Sequence, residues 1–149
     1  MRPSPATNVL RSLRAGDVAD PSPDFVRADA SFGSVLERLL DAHHGQLRVV
    51  DDGGHLLALE RLDNTFPAAA PISIEKARSA AVFRKPTADF ENAVKNGRVS
   101  LVANQELLPL EGGVPIVVGG QVIGAVGVAG AASAQQDDDI ARAAAGSLQ

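Results

Sequence analysis

Residues 114–128 read VPIVVGGQVIGAVGV, in which two apolar runs are joined by Gly119 and Gly120. A two-residue Gly-Gly connection between such runs favours a type I′ or II′ turn, because these turns need positive φ angles that glycine adopts easily. The stretch therefore predicts a β-hairpin. The cross-strand pairs expected in it are Val117 with Val122 and Ile116 with Ile123.

Apolar runs at 47–51 and 56–62 flank Gly53 and Gly54 and predict a second hairpin earlier in the chain. A shorter apolar run at 107–110 is expected as a further strand. Because Pro109 lacks a backbone donor, this strand is placed at an edge of the sheet. Together the runs predict one five-stranded antiparallel sheet.

Polar capping residues predict three helices around these strands. Ser73 is expected to cap a helix at 74–83, and Thr87 a helix at 88–95. Ser133 and Gln136 form an S-x-x-Q capping box that predicts the start of the last helix. The buried stripe of that helix is expected to hold Ile140, Ala144 and Leu148. The fold class that follows is α+β, an α/β sandwich with helices packed on the sheet.

The first third of the chain differs in composition from the rest. Residues 1–30 contain four prolines and no hydrophobic periodicity, so we expect a loosely ordered arm. Residues 34–44 have helical periodicity, which Gly45 is expected to end. The predicted division is a divergent N-terminal arm with a short helix at 1–45 and a domain at 46–149.

Composition argues against several classes of function. The chain has no cysteine, which excludes disulfides and thiolate metal sites. The formal net charge is −4 and the only aromatic residues are five phenylalanines, so nucleic acid is not expected as a partner. No apolar run reaches the roughly 18 residues that span a bilayer, and no apolar segment of a signal peptide follows Met1. The expectation is a cytoplasmic protein without a membrane partner.

Five short blocks, taken in order along the chain, resemble the GlcG/HbpS family. The blocks are VVDDGGHLL at 49–57, IEKARSA at 74–80, GGVPI at 112–116, VIGAVGV at 122–128 and QDDDIA at 136–141. Each block alone is weakly specific, but five in register are specific. The resemblance implies profilin-like layering of sheet and helices for 46–149.

The resemblance also implies a function. Members of the family are linked to haem binding, to glycolate-utilisation operons and to the C-terminal part of some corrinoid adenosyltransferases, and several form oligomers. The expected function is therefore a small-molecule binding domain, with haem or another tetrapyrrole as its cofactor, in a homo-oligomer. The small residues at 127–132 are expected at or near the subunit interface.

Two alternative functions stay open. One is an accessory or small-acid enzyme domain in a glycolate-like pathway, and the other is a structural oligomerisation module. The sequence has neither a G-x-S-x-G elbow nor an H-E-x-x-H motif. Enzymatic activity and catalytic residues are therefore left undecided.

Five residues are candidates for a cofactor site. Lys76 either binds a carboxylate, such as a haem propionate, or is a solvated lysine. His55 follows a turn and is either a ligand of a metal or haem iron or an exposed turn histidine. Gly124 and Gly127 allow close approach of either a packed helix or a flat ligand. A threonine contacts haem iron in part of the family, and the resemblance carries that role to Thr87.

Asp137, Asp138 and Asp139 are consecutive acids at the start of the last helix. They either bind a hard cation or complement the positive end of the helix dipole. Neighbouring helical residues point about 100° apart, so three in a row do not converge on one ion. No metal site is predicted.

Overall fold

Four antiparallel strands form the sheet in the computed structural model, which describes residues 45–148. The predicted arm and the helix at 34–44 lie outside the described residues. The strands are β1 (Gln46–Asp51), β2 (Leu56–Arg61), β3 (Gly113–Val118) and β4 (Gln121–Ala129), in the spatial order β2-β1-β4-β3. The α+β class is confirmed, but the prediction of five strands is wrong.

Three α-helices accompany these strands in the described part of the chain: α1 (Ala69–Phe83), α2 (Thr87–Lys95) and α3 (Ala134–Ser147). A short 3-10 helix, Val99–Ala103, follows α2. No helix among residues 45–148 is both long and apolar enough to cross a membrane.

The missing strand is the segment 107–110. The backbone N–H of Leu108 donates to Ser79 Oγ on α1 at 2.8 Å, and that of Leu110 donates to the Leu108 carbonyl at 2.9 Å. Pro109 has no N–H to offer. The backbone donors of this segment are therefore bound by a helix side chain and a local turn, and none of them joins the sheet.

The β3–β4 hairpin has the predicted turn, with φ values of 57° at Gly119 and 78° at Gly120. Val117 pairs with Val122 as expected, but Ile116 pairs with Gly124. The register shifts between Ile116 and Val117, so that Ile123 is an extra residue on β4. A bulge of this kind increases the local twist of the strand and is not visible in a hydrophobic pattern.

Two of the three predicted caps are wrong. Ser73 lies inside α1, which begins at Ala69, and its hydroxyl donates to the Ala70 carbonyl at 3.0 Å. Thr87 makes no cap hydrogen bond on α2. Ser133 does cap α3, since its Oγ accepts from Gln136 N at 3.1 Å. The Gln136 side chain accepts from Ala132 N, so the reciprocal bond is one residue away from an ideal capping box.

The sheet lies between α1 and α3. Residues of alternating orientation on β4 face opposite helices: Ala125 packs with alanines of α1, and Val126 with the core that contains Ile140 of α3. A Cβ at Gly127 would collide with the Ser73 carbonyl oxygen and lie 2.6 Å from Ala77 N. The close approach at Gly127 is therefore that of a packed helix.

Part of the segment 127–132, which we expect at or near a subunit interface, is covered within the chain itself, whereas Ala132 is exposed. Ala129 is 2% exposed, and Gly127 and Gly130 are also buried within the chain. A Cβ at Gly130 would lie 3.0 Å from Thr65 and 3.2 Å from Ala69. These small residues pack against α1 and the segment that precedes it.

Candidate functional site

Lys76 is buried at the junction of α1, β4 and α3, with only 3% of its surface exposed. Its Nζ donates to the Val128 carbonyl at 2.9 Å and to Asp137 Oδ2 at 3.0 Å. Asp137 lies in the first turn of α3, and its Oδ1 accepts from Ala131 N at 2.9 Å. The ion pair is thus hydrogen-bonded to the backbone at both partners, which reduces the desolvation cost of a buried pair.

A cavity of about 260 Å³ opens beside this pair. Apolar side chains that line it include Phe66, Ile72 and Leu110, and the charged residues that line it are Lys76, Asp137, Glu91 and Glu111. A lysine ammonium has three donors, and Lys76 has given two of them to Val128 and Asp137. The cavity therefore combines apolar walls with a charged wall in which carboxylates outnumber the single ammonium.

Glu91 on α2 is held in place from two sides. Its Oε2 accepts from Glu111 N at 2.6 Å, and its Oε1 lies 2.9 Å from Lys95 Nζ. Burial alone would raise the pKa of Glu91. The hydrogen bond from Glu111 N, the contact with Lys95 and the charge of Lys76 outweigh burial, so the pKa of Glu91 lies below its usual value.

Thr87, at the start of α2, is fully buried and lies outside the cavity lining. Its Oγ1 accepts from Gly113 N at 2.8 Å and donates to the Gly113 carbonyl at 3.4 Å. A Cβ at Gly113 would collide with the Lys76 carbonyl oxygen and lie 2.8 Å from Thr87 Cγ2. The structure thus brings Lys76 and Thr87 together around Gly113, with the threonine hydroxyl bonded to backbone.

The other predicted site residues lie elsewhere. The His55 side chain is 81% exposed at the β1–β2 turn, where its Nδ1 is 3.1 Å from Asp51 Oδ1. Gly124 is buried on β4 opposite Asp51 and Ile116. Of the five predicted residues, Lys76 lines the cavity, and Thr87, Gly127, Gly124 and His55 do not.

The three consecutive aspartates of α3 have separate partners. Asp137 pairs with Lys76, Asp138 Oδ2 accepts from Arg142 Nε at 2.6 Å, and Asp139 accepts from Gln135 at 3.1 Å. Among residues 45–148 no group of three or more histidine or acidic side chains is placed to hold a metal ion. The acidic run therefore contributes single carboxylates to three different contacts.

Sequence reasoning missed a pair of arginines on β1 and β2. Arg48 Nη2 donates to Gln46 Oε1 at 2.8 Å, and Arg61 Nη2 donates to the Thr65 carbonyl at 3.3 Å. Burial lowers the pKa of Arg48, and the nearby charge of Arg61 lowers it further. The signal was present, since a cation inside the apolar run 47–51 is unusual for a strand that faces a helix.

Comparisons with known proteins place the chain in a family. A family model described as haem degrading protein HbpS-like matches residues 40–146. Protein GlcG of Escherichia coli strain K12 is 58% identical over 82 residues, which are 55% of this chain. That match spans 61% of the length of GlcG, less than two thirds of the relative.

Solved structures agree with that placement. A double mutant of Streptomyces reticuli HbpS is 29% identical with a TM-score of 0.70, and the match covers 80% of this chain and 82% of HbpS. The PduOC:haem complex is 21% identical with a TM-score of 0.68, over 79% of this chain and 89% of PduOC, and at that identity it shows a shared fold alone. The chain belongs to the HbpS-like family, as its sequence blocks predicted.

Proposed function

We propose that this chain is a small-molecule binding domain that takes haem or a related tetrapyrrole. The observation that carries the proposal is the match of residues 40–146 to a family described as haem degrading protein HbpS-like. The haem complex of PduOC, a protein with the same fold, supports it.

The cavity beside Lys76 is the binding region in this proposal. Its volume of about 260 Å³ lies below the roughly 300–1,000 Å³ of most ligand pockets, so a macrocycle enters it by one edge. Phe66 and Leu110 line it and are 51% and 41% exposed, which leaves apolar surface for the rest of the ring. Glu91, Glu111 and Asp137 repel carboxylates, so the propionates point away from this wall.

Two predicted residues keep a role near that region. Lys76 lines the cavity, and its side chain contacts the edge of the ring, since the propionates point away from this wall. Thr87 acts through Gly113, because its hydroxyl holds the backbone next to Lys76. In this proposal Lys76 contacts the ligand and Thr87 positions the wall.

Titration of the full chain with haem tests the proposal, with the Soret absorption as the readout. We expect saturable binding that Phe66→Ala weakens about tenfold, because the variant removes apolar surface worth roughly 1.5–3 kcal/mol when fully buried. Val82→Ala is the matched control, since Val82 is 45% exposed and is not part of the cavity. Absence of saturable binding in folded protein, or equal weakening by both variants, would contradict the proposal.

We also propose that the domain works as a homo-oligomer. Val99 and Val102 are each 63% exposed and lie three residues apart on the 3-10 helix, which places them on one side. Sedimentation of the same samples should give a mass above the 15.4 kDa of one chain, and Val102→Glu should lower it. Val82→Glu serves as the control, and a mass of one chain for the unaltered protein would end this part of the proposal.

A further inference from the structure

We propose that Gln46, Arg48 and Arg61 form a second binding site, which takes the carboxylate group of a small molecule with a short apolar tail. The site lies on β1 and β2, apart from the cavity that Lys76 lines. It goes beyond the haem proposal and depends on none of its steps.

Strand pairing brings the three polar side chains together. Gln46 pairs with Arg61, and Arg48 pairs with Leu59. Directly paired residues of antiparallel strands point to the same face with Cβ atoms about 4.5–5.5 Å apart. Residues 46, 48 and 50 alternate onto one face of β1, and Val50 packs against α1, so the site lies on the α1 side of the sheet.

Among residues 45–148, no carboxylate pairs with the arginines of this site. Arg48 and Arg61 are close enough to repel each other, and none of the ion pairs within residues 45–148 involves either of them. Their hydrogen bonds go to neutral oxygens of Gln46 and Thr65. Arg48 is half-buried and Arg61 is exposed, and an anion between two neighbouring guanidinium groups would reduce their repulsion.

Buried donors at the same place also lack partners. Gln46 is fully buried and its Nε2 has no hydrogen-bond partner, and Arg48 Nε is buried without one. More than about 90% of buried polar groups in proteins are paired, so two open donors side by side call for an acceptor. A carboxylate fits, because its two oxygens can accept from a planar guanidinium fork, while the buried Gln46 holds Arg48 in place through Oε1.

Apolar surface next to the arginines defines the rest of the ligand. Leu59 is 36% exposed and pairs with Arg48, and Leu56 is 41% exposed and pairs with Val50 on the same face. These leucines lie on β2, an edge strand of the sheet. A carboxylate held by the arginines would place a short hydrocarbon tail over them.

The experiment uses the full chain and three probes: hexanoate, acetate and hexanamide. Binding is followed by NMR of the arginine Nε–Hε groups. We expect hexanoate to shift both arginine signals and to bind more tightly than acetate, and hexanamide not to bind. Arg61→Met should weaken hexanoate about tenfold or more, the loss expected for a charged hydrogen bond. Arg98→Met is the control, because Arg98 is exposed and forms no ion pair in the described region.

Two further variants separate the possible outcomes. Arg48→Lys keeps the charge without the planar fork and should bind hexanoate with intermediate affinity, and it replaces Arg61→Met as the test if that variant does not fold. Phe66→Ala should leave hexanoate binding unchanged, which distinguishes this site from the haem region. Equal binding of hexanoate and hexanamide, or full binding by Arg61→Met, overturns the carboxylate site. Equal binding of acetate and hexanoate overturns the apolar tail.

Discussion

Lys76 and the Arg48–Arg61 pair are cations on the α1 side of one sheet, and their surroundings differ. Lys76 has a carboxylate at 3.0 Å and a carbonyl at 2.9 Å. The arginines have neutral oxygens and each other. The difference indicates that the lysine charge is used for the fold, whereas the arginine charges remain available for a ligand.

Removal of the lysine's partner should have the largest effect. Asp137→Ala leaves the buried Lys76 ammonium without the carboxylate that contacts it, and we expect a loss of about 3–5 kcal/mol in the free energy of unfolding. Denaturant unfolding measures it. The control is Asp139→Ala on the same helix, where the side chain is exposed and a change within about 0.5 kcal/mol is expected.

The double variant Lys76→Met with Asp137→Leu checks the cause of that loss. It replaces both charges with apolar groups of similar size, so it should recover most of the stability that Asp137→Ala loses. If Asp137→Ala and Asp139→Ala lower the free energy of unfolding equally, the buried Lys76–Asp137 pair does not stabilise the fold.

Removal of Arg61 should change the free energy of unfolding by a smaller amount, and should increase it. Arg61→Met relieves the repulsion with Arg48, and we expect a gain of up to about 1 kcal/mol at low salt that shrinks as salt is added. Thermal unfolding at two salt concentrations measures it. Arg78→Met is the comparison, because Arg78 pairs with Glu106 at 3.1 Å and has a favourable contact to lose. A clear loss of stability in Arg61→Met would show that the arginine charge is already compensated.

The smallest expected effect on stability is the pH dependence that Glu91 contributes. The charge of Lys76 is one of the groups that lower the pKa of Glu91. Its pKa is lowered in the folded state, so Glu91 adds stability above the usual carboxyl value of about 4.5, and that stability is lost as pH falls through the lowered pKa. Glu91→Gln should therefore lower stability at pH 7, by less than about 1 kcal/mol, and flatten the acid limb of the stability curve.

Glu60→Gln should change the stability at pH 7 in the opposite direction to Glu91→Gln. Burial raises the pKa of Glu60, so its ionised form is disfavoured in the folded state above that pKa. The variant should raise stability at pH 7. Thermal unfolding from pH 7 to pH 3 compares both variants, and changes of equal sign would refute the assignment.

Local signals in the sequence predicted most of the elements. Gly119 and Gly120 predicted the hairpin turn because positive φ at two neighbouring residues is a local property of glycine. Ser133 predicted the start of α3 because its hydroxyl reaches an N–H three residues ahead. The sequence makes Lys76 a candidate cation for ligand binding, and the structure places it in the wall of the cavity.

Sequence patterns gave wrong predictions where an element distant in the chain formed a hydrogen bond with the polar group on which the prediction rested. Thr87 has the residue type of a helix cap, but its hydroxyl bonds Gly113, 26 residues away. The segment 107–110 has the composition of a strand, but Ser79 takes the N–H of Leu108. In both places a contact made by tertiary packing replaced the local hydrogen bond that the pattern predicts.

The sequence by itself determined the turns, the periodic strands and helices, and the family, because these depend on neighbours within a few residues or on ordered blocks of residues. Only the tertiary structure decided which charges are paired. Asp137 lies 61 residues from Lys76, and Gln46, Arg48 and Arg61 meet only through the β1–β2 register. Charge compensation depends on distance in space and on burial, and neither can be read from the order of residues along the chain.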